Sequence, residues 1–215
     1  MYGLKYFLIK SFRIRGLFPI RKELYGGQTN MVFEEKRVVL RNGKECILRS
    51  PRPSDALDMI SYLRQTSAET PFMVRYPEEV TMSVEDEEKF LYSNLEAPGS
   101  IMIAAVIDGR VIGNLGISCI SSRQKLKHRA SLGIAIEKEF WGLGIGTMLM
   151  SEGILWARKT GYEQIELEVA DGNEKAFRMY RKFGFAVYGT RERGFKFKDG
   201  TYASEHLMMK KLTEE

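Results

Sequence analysis

The stretch "EFWGLGIGTMLM", Glu139–Met150, sets three alternating glycines, Gly142, Gly144 and Gly146, between an apolar strand and a helical run. The spacing matches neither common nucleotide signature. A dinucleotide fingerprint is spaced GxGxxG and is followed by an acid about 20 residues on, at the end of a second parallel strand, whereas here the spacing is GxGxG. A P-loop ends in GK[ST], and no lysine follows Gly146. What remains is a strand ending at Glu137, a short glycine turn, and a helix whose first N–H groups lack intrahelical partners. Such a turn either cradles an anion such as a diphosphate, which residues without Cβ let approach the main chain, or only turns the chain tightly. These twelve residues by themselves favour neither.

The segment downstream shifts the balance. "LEVADGNEKAFRMYRKFGF", Leu167–Phe185, reads as strand, loop, helix and Gly-Phe. In this order the sequence resembles the GNAT superfamily of N-acetyltransferases. In that family a pattern around R/Q-G-x-G-x-G/A binds the coenzyme A pyrophosphate, and N-x-x-A-x-x-x-Y-x-x-x-G-F follows it. Here the second pattern is Asn173, Ala176, Tyr180, Gly184 and Phe185, with every spacing intact. The resemblance covers roughly Cys46 to Leu212. One position departs from it: Trp141 stands where the family usually has Arg or Gln. The resemblance therefore implies a cofactor cradle made by the backbone of Gly142, Leu143, Gly144, Ile145, Gly146 and Thr147, without the usual side-chain phosphate contact.

Outward from these motifs the chain alternates strands and helices. "KRVVLRNGKECILRSP" holds two short apolar runs around Asn42-Gly43, a type I′ hairpin signal. "PRPSDALDMISYLRQTSAE" predicts a helix capped by Ser54 or Asp55, with Leu57, Ile60 and Leu63 at helical spacing. A second helix starts at Ser83, with acids in its first turn. "SIMIAAVIDGRVIGNLGISCIS" gives two strands joined at Asp108-Gly109, and "RASLGIAIE" a further strand before the glycine turn. After it come helix "TMLMSEGILWARKT", strand "QIELEVA", helix "NEKAFRMYRKF" and the strands "FAVYGTRERGF" and "SEHLMMKKL". The expected class is mixed α/β (α+β), a GNAT fold: a twisted, mostly antiparallel sheet with helices on both faces and, by the resemblance, splayed parallel strands at the cofactor site.

Charge and composition narrow the function classes. Residues 1–30 hold six of the 33 Lys and Arg and one of the 28 Asp and Glu, which leaves 27 of each in the remainder. The basic excess thus lies in an N-terminal extension, not in a folded patch, and nucleic acid is not expected as a partner. The extension has no signal-peptide shape, and Met31 reads as a plausible true start, so residues 31–215 are expected to form a single N-acetyltransferase domain. No apolar run approaches the roughly 20 residues of a membrane span, and no membrane partner is expected. Two cysteines, Cys46 and Cys119, form no disulfide framework or metal spacing. A reducing cytoplasm fits, with no metal expected. A homodimer is compatible with the sequence, which does not specify one.

The resemblance also implies roles. Acetyl-CoA is the expected acyl donor, its pantetheine arm held by the backbones of Ile134, Ala135 and Ile136, and Asn173 either touches that arm or caps its helix. Tyr180 matches the family's general acid, although Ala176, Phe177, Tyr180 and Phe183 at helical spacing also read as core. For the base, His128 titrates in the right range, with Glu137, Glu168, Glu205 and a water chain as rivals. Cys119 reads as a core thiol. The expected acceptor is a primary amine of a small molecule or a peptide N-terminus, with the acidic "YPEEVTMSVEDEEKF" either steering a cation or forming a solvated face. The alternative from another class is a non-catalytic coenzyme A-binding sensor or scaffold.

Overall fold

The computed structural model describes residues 32–212, so the extension at 1–30 lies outside the described residues. In chain order the elements are β1 (Lys36–Val39), β2 (Glu45–Arg49), α1 (Ala56–Glu69), α2 (Val84–Glu96), β3 (Ser100–Ile107), β4 (Arg110–Cys119), β5 (Arg129–Ile136), α3 (Ile145–Lys159), β6 (Gln164–Ala170), α4 (Glu174–Lys182), β7 (Ala186–Lys196) and β8 (Tyr202–Lys211). The strands form one sheet in the order β1-β2-β3-β4-β5-β6-β8-β7. Every pairing is antiparallel except that of β5 with β6. The expected mixed α/β, mostly antiparallel architecture is the one observed.

β3 shows how the core is divided. All eight of its residues are buried, which explains its unbroken apolar run. Ile101, Ile103 and Ala105 point to a cluster completed by Ile145, Leu149 and Ile154 of α3 and Tyr180 of α4. Met102, Ala104 and Val106 point the other way, to Met59 and Tyr62 of α1 and Leu91 of α2. Each face of the sheet therefore carries two helices. Among the described residues no helix is long and apolar enough to cross a membrane.

Several local details differ from expectation. Asp108 and Gly109 both have positive φ, 51° and 81°, as a type I′ turn requires. At the first hairpin only Gly43 does, at 82°, and the Leu40 carbonyl accepts the Gly43 N–H at 2.9 Å. That is a three-residue turn with its glycine left-handed, and it turns Arg41 toward the glycine segment. In α1, Leu57 is 66 % exposed, and Ala56, Met59, Ile60 and Tyr62 are the buried stripe. The Asp55 carboxylate makes no cap bond to α1. It instead grips Arg49 of β2 at 2.6 and 2.9 Å and the Arg52 N–H at 2.7 Å. This anchors the start of α1 to the sheet and turns Leu57 outward. Ser83 caps α2 as expected, accepting the Asp86 N–H at 3.1 Å.

Candidate active site at the splayed strands

The site begins with a pairing that stops. β5 and β6 are in register only for Arg129–Gln164, Ala130–Ile165 and Ser131–Glu166. Beyond them β5 stays paired to β4 as far as Ile136, and β6 to β8 as far as Ala170. The two strands therefore separate toward their C-terminal ends. The Arg129 carbonyl accepts from Ile120, and the Glu137 N–H donates to the Ile112 carbonyl. Main-chain groups of odd-numbered β5 residues thus face β4, and alternation turns those of Ile134 and Ile136 toward the gap. Ala135 differs from the other two: its carbonyl accepts the buried Tyr62 hydroxyl at 2.9 Å, and its side chain packs with the α1 and α2 cluster.

The glycine turn lies at the C-terminal end of β5. Gly142 and Gly144 have φ of 83° and 97°, the left-handed region where glycine carries no Cβ penalty. Nothing lies within 4 Å of where a Cβ on Gly142 would stand. Gly146 serves another purpose, because a Cβ there would meet Met179 Sδ at 3.1 Å and Ile136 Cδ1 at 3.4 Å; its lack of a side chain lets α3 pack closely against β5 and α4. α3 starts at Ile145, inside the glycine run, with Gly144 as a cap that offers no side chain. The first intrahelical bond is Met148 N–H to the Gly144 carbonyl. Among the described residues the N–H groups of Ile145, Gly146 and Thr147 have no acceptor, and they project from the positive end of the helix dipole. An open cradle with three unpaired amides fits a diphosphate.

Trp141 has a structural task. Its indole N–H donates to the Ile136 carbonyl at 2.7 Å, closing the end of β5 onto the turn. Lys175 of α4 lies over its ring at 4.3 Å from the centroid, within cation–π range.

α4 brings two motif residues to the same region. Asn173 is its N-cap and accepts the Ala176 N–H at 3.3 Å, which leaves its amide NH₂ free to donate. A small cavity of about 40 Å³ adjoins it, lined by Ala170, Gly172, Phe177 and His206 among others. Tyr180 is 6 % exposed and packs against Phe185 at 6.0 Å between centroids. Burial pushes its phenol well above the usual range. Among the described residues its hydroxyl has no hydrogen-bond partner. His128 is not brought to this group: it precedes β5 at the paired end, where its carbonyl accepts from Glu163 and Gln164. Six residues of extended chain, about 20 Å, separate it from Ile134.

The opposite face of β6 and β8 carries carboxylates. Ile165, Leu167 and Val169 face α3 and α4, so Glu166 and Glu168 face the side of α1 and α2. Glu166 is held by Arg129 at 2.7 Å, in the part of β6 still paired to β5. Glu168 stands on the splayed part. Arg191 of β7 bridges Glu168, at 2.9 Å, and Glu205. Glu205 is buried, and burial together with Glu168 raises its carboxyl above the usual range. Glu137 is likewise raised by burial, against the pull of Arg110, which holds it at 2.8 Å; it reads as a structural ion pair. The acids of the α1–α2 region are mostly engaged locally: Glu78 with Lys198, Glu79 with the Tyr76 N–H and Glu85 with Lys89. Lys198, in the β7–β8 turn, also donates its N–H to the Tyr76 hydroxyl at 2.9 Å. The α1–α2 loop and the β7–β8 hairpin thereby meet across this face.

Comparison with known proteins decides the family. The model of the acetyltransferase (GNAT) family matches residues 62–185, more than half of the chain. The chain belongs to the GNAT acetyltransferase family. It is 32 % identical over 117 residues to the L-amino acid N-acetyltransferase AaaT of Escherichia coli (strain K12), a match covering 53 % of this chain and 69 % of the relative. Among solved structures, the acetyltransferase of GNAT family from Streptococcus pneumoniae superposes with a TM-score of 0.73 at 29 % identity, over 77 % of this chain and 99 % of that one. YncA from Salmonella typhimurium, described with its cofactor acetyl-CoA, has a TM-score of 0.68 at 18 % identity, over 78 % of this chain and 94 % of that one, and shows the likeness of fold. Within this GNAT frame, sequence reasoning missed Arg41, Lys175 and the Arg191 bridge. Arg41 lies 100 residues from Trp141 in the chain, and no local pattern marks the pair.

Proposed function

We propose that this GNAT protein transfers an acetyl group from acetyl-CoA directly to a primary amine of a small molecule or a peptide N-terminus. The observation that carries the reading is the gap between β5 and β6, with the unpaired amides of α3 at its end and Glu168 on its other face. Acetyl-CoA supplies an activated thioester when bound. The N–H groups of Ile145, Gly146 and Thr147 hold its diphosphate. The main chain of Ile134 and the amide of Asn173 orient its arm along the gap.

The reaction forms a C–N bond and breaks a C–S bond, so one proton leaves the nitrogen and one reaches the sulfur. Glu168, fronting the gap, accepts the amine proton, and Arg191 with Glu205 fixes its orientation. Tyr180 donates the phenolic proton at the sulfur. An acceptor screen with thiol detection and mass spectrometry, spanning amines, polyamines, amino acids, antibiotics and peptides, tests the reading. Acetylated product with equimolar thiol is expected. Tight coenzyme A binding with no turnover on any amine would favour a binding module instead.

A further inference from the structure

The donor reading leaves a charge unexplained, and the inference here rests on that reading. A diphosphate brings negative charge that three amides solvate but do not neutralise, and the turn from Glu139 to Thr147 contains no cation. Trp141 occupies the position where the resembled pattern places a basic or amide side chain, and its indole N–H is committed to the Ile136 carbonyl.

Two cations from distant parts of the chain flank this turn. Arg41 is held by its own backbone, which donates to the Leu143 carbonyl at 3.3 Å. Its guanidinium reaches the Gly142 carbonyl at 3.4 Å, and its Nε lies 3.9 Å from where a Cβ on Gly144 would stand. Lys175 approaches from the other side, its ammonium over the Trp141 ring. It lies in the first turn of α4, where a cation opposes the helix dipole. Burial is the resolved influence on its ammonium and lowers its pKa. Among the described residues neither side chain has a carboxylate at ion-pair distance. Both are thus cations without a carboxylate partner among the described residues, beside an amide cradle.

We propose that Arg41 and Lys175 form a two-sided cationic clamp on the diphosphate of coenzyme A, supplying from β1–β2 and α4 the charge absent at Trp141. Trp141 is then a positioning residue, carrying Lys175 on its face while closing β5.

Calorimetric titration of the full chain with coenzyme A tests this in the wild type, Arg41→Gln, Lys175→Gln and the double variant. Each single substitution weakens binding by roughly 5–20-fold and the pair by about 100-fold, as expected of charge-assisted contacts that are partly solvated. The dependence of log Kd on log salt becomes shallower in the same order. Dephospho-coenzyme A, which keeps the diphosphate and lacks the 3′-phosphate, shows the same losses, and pantetheine, followed by NMR, shows none. Trp141→Arg in the double variant restores at least about tenfold.

Variants that bind coenzyme A like the wild type would overturn the clamp and leave the donor reading standing. Losses confined to coenzyme A, absent with dephospho-coenzyme A, would move the contacts to the 3′-phosphate and also overturn it. An equal loss for pantetheine would place both residues in the fold instead of at the phosphates. A wild-type protein that fails to bind coenzyme A at millimolar concentration would remove the donor reading itself.

Discussion

Replacing Tyr180 by Phe tests its proposed catalytic role apart from its packing, because turnover should fall while stability stays nearly unchanged. The phenol is 6 % exposed and its ring packs in the α3–α4 side of the core, so the substitution keeps the packing and deletes one oxygen. That oxygen has no hydrogen-bond partner among the described residues. The buried side-chain oxygen without a partner among the described residues is Asn114 Oδ1, so the Tyr180 oxygen keeps contact with solvent and escapes most of the penalty of a buried, unsatisfied hydroxyl. Tyr180→Phe should therefore leave the stability within about 0.5 kcal/mol of the wild type. In the proposed role of general acid the same oxygen would contribute about 10²-fold or more to turnover. Thiol release at saturating donor reads the second effect, urea or thermal melts the first, and calorimetry checks that coenzyme A affinity is unchanged. Turnover within about twofold of the wild type would refute the catalytic role. A destabilisation of more than about 1 kcal/mol would refute the claim that the hydroxyl lacks a partner.

Two further outcomes follow from the same geometry. Glu168→Gln should lower kcat by about 10²-fold with donor affinity unchanged, since Arg191 retains Glu205; steady-state kinetics beside calorimetry distinguishes this from a folding defect. Asp55→Asn should cost about 2–3 kcal/mol, because it leaves Arg49 as a largely buried cation without its charge partner. Burial acts to raise the Asp55 carboxyl, but the Arg49 hydrogen bonds and the Arg52 N–H outweigh it and hold it below 3.8. A depressed carboxyl contributes stability that is complete above its unfolded value and is lost as pH falls through its folded one. Urea melts should therefore show the wild type losing stability below about pH 4 more steeply than Asp55→Asn does.

What could be read from the sequence was what local rules govern. Strand "QIELEVA" is β6 to the residue, and Ser83 caps α2, because alternation and capping need only neighbours in the chain. The donor motifs were legible for the same reason: a glycine turn and an Asn-Ala-Tyr helix are each contiguous. Misreadings arose where distant partners intervene. Leu57 faces outward because Asp55 engages Arg49 instead of capping α1. Asn42-Gly43 forms a different turn from Asp108-Gly109, and Arg41 within it donates to the Leu143 carbonyl. Ala135 faces β4 and not the gap, which only the strand register shows. The chemistry of His128 suits a base, and the pairing of β5 with β6 places it at the paired end of the strand, away from the gap. The Arg191 bridge between two strands, and Lys175 over Trp141, have no signature before folding.

In the proposed function the amides of Ile145, Gly146 and Thr147 meet the donor. An amide-resolved NMR titration with acetyl-CoA measures this contact directly. The largest downfield shifts should fall on those three N–H groups and on Gly144, with smaller changes at Ile134 and Asn173 along the gap. Saturable binding whose shifts cluster elsewhere on the sheet, leaving the start of α3 unmoved, would contradict it.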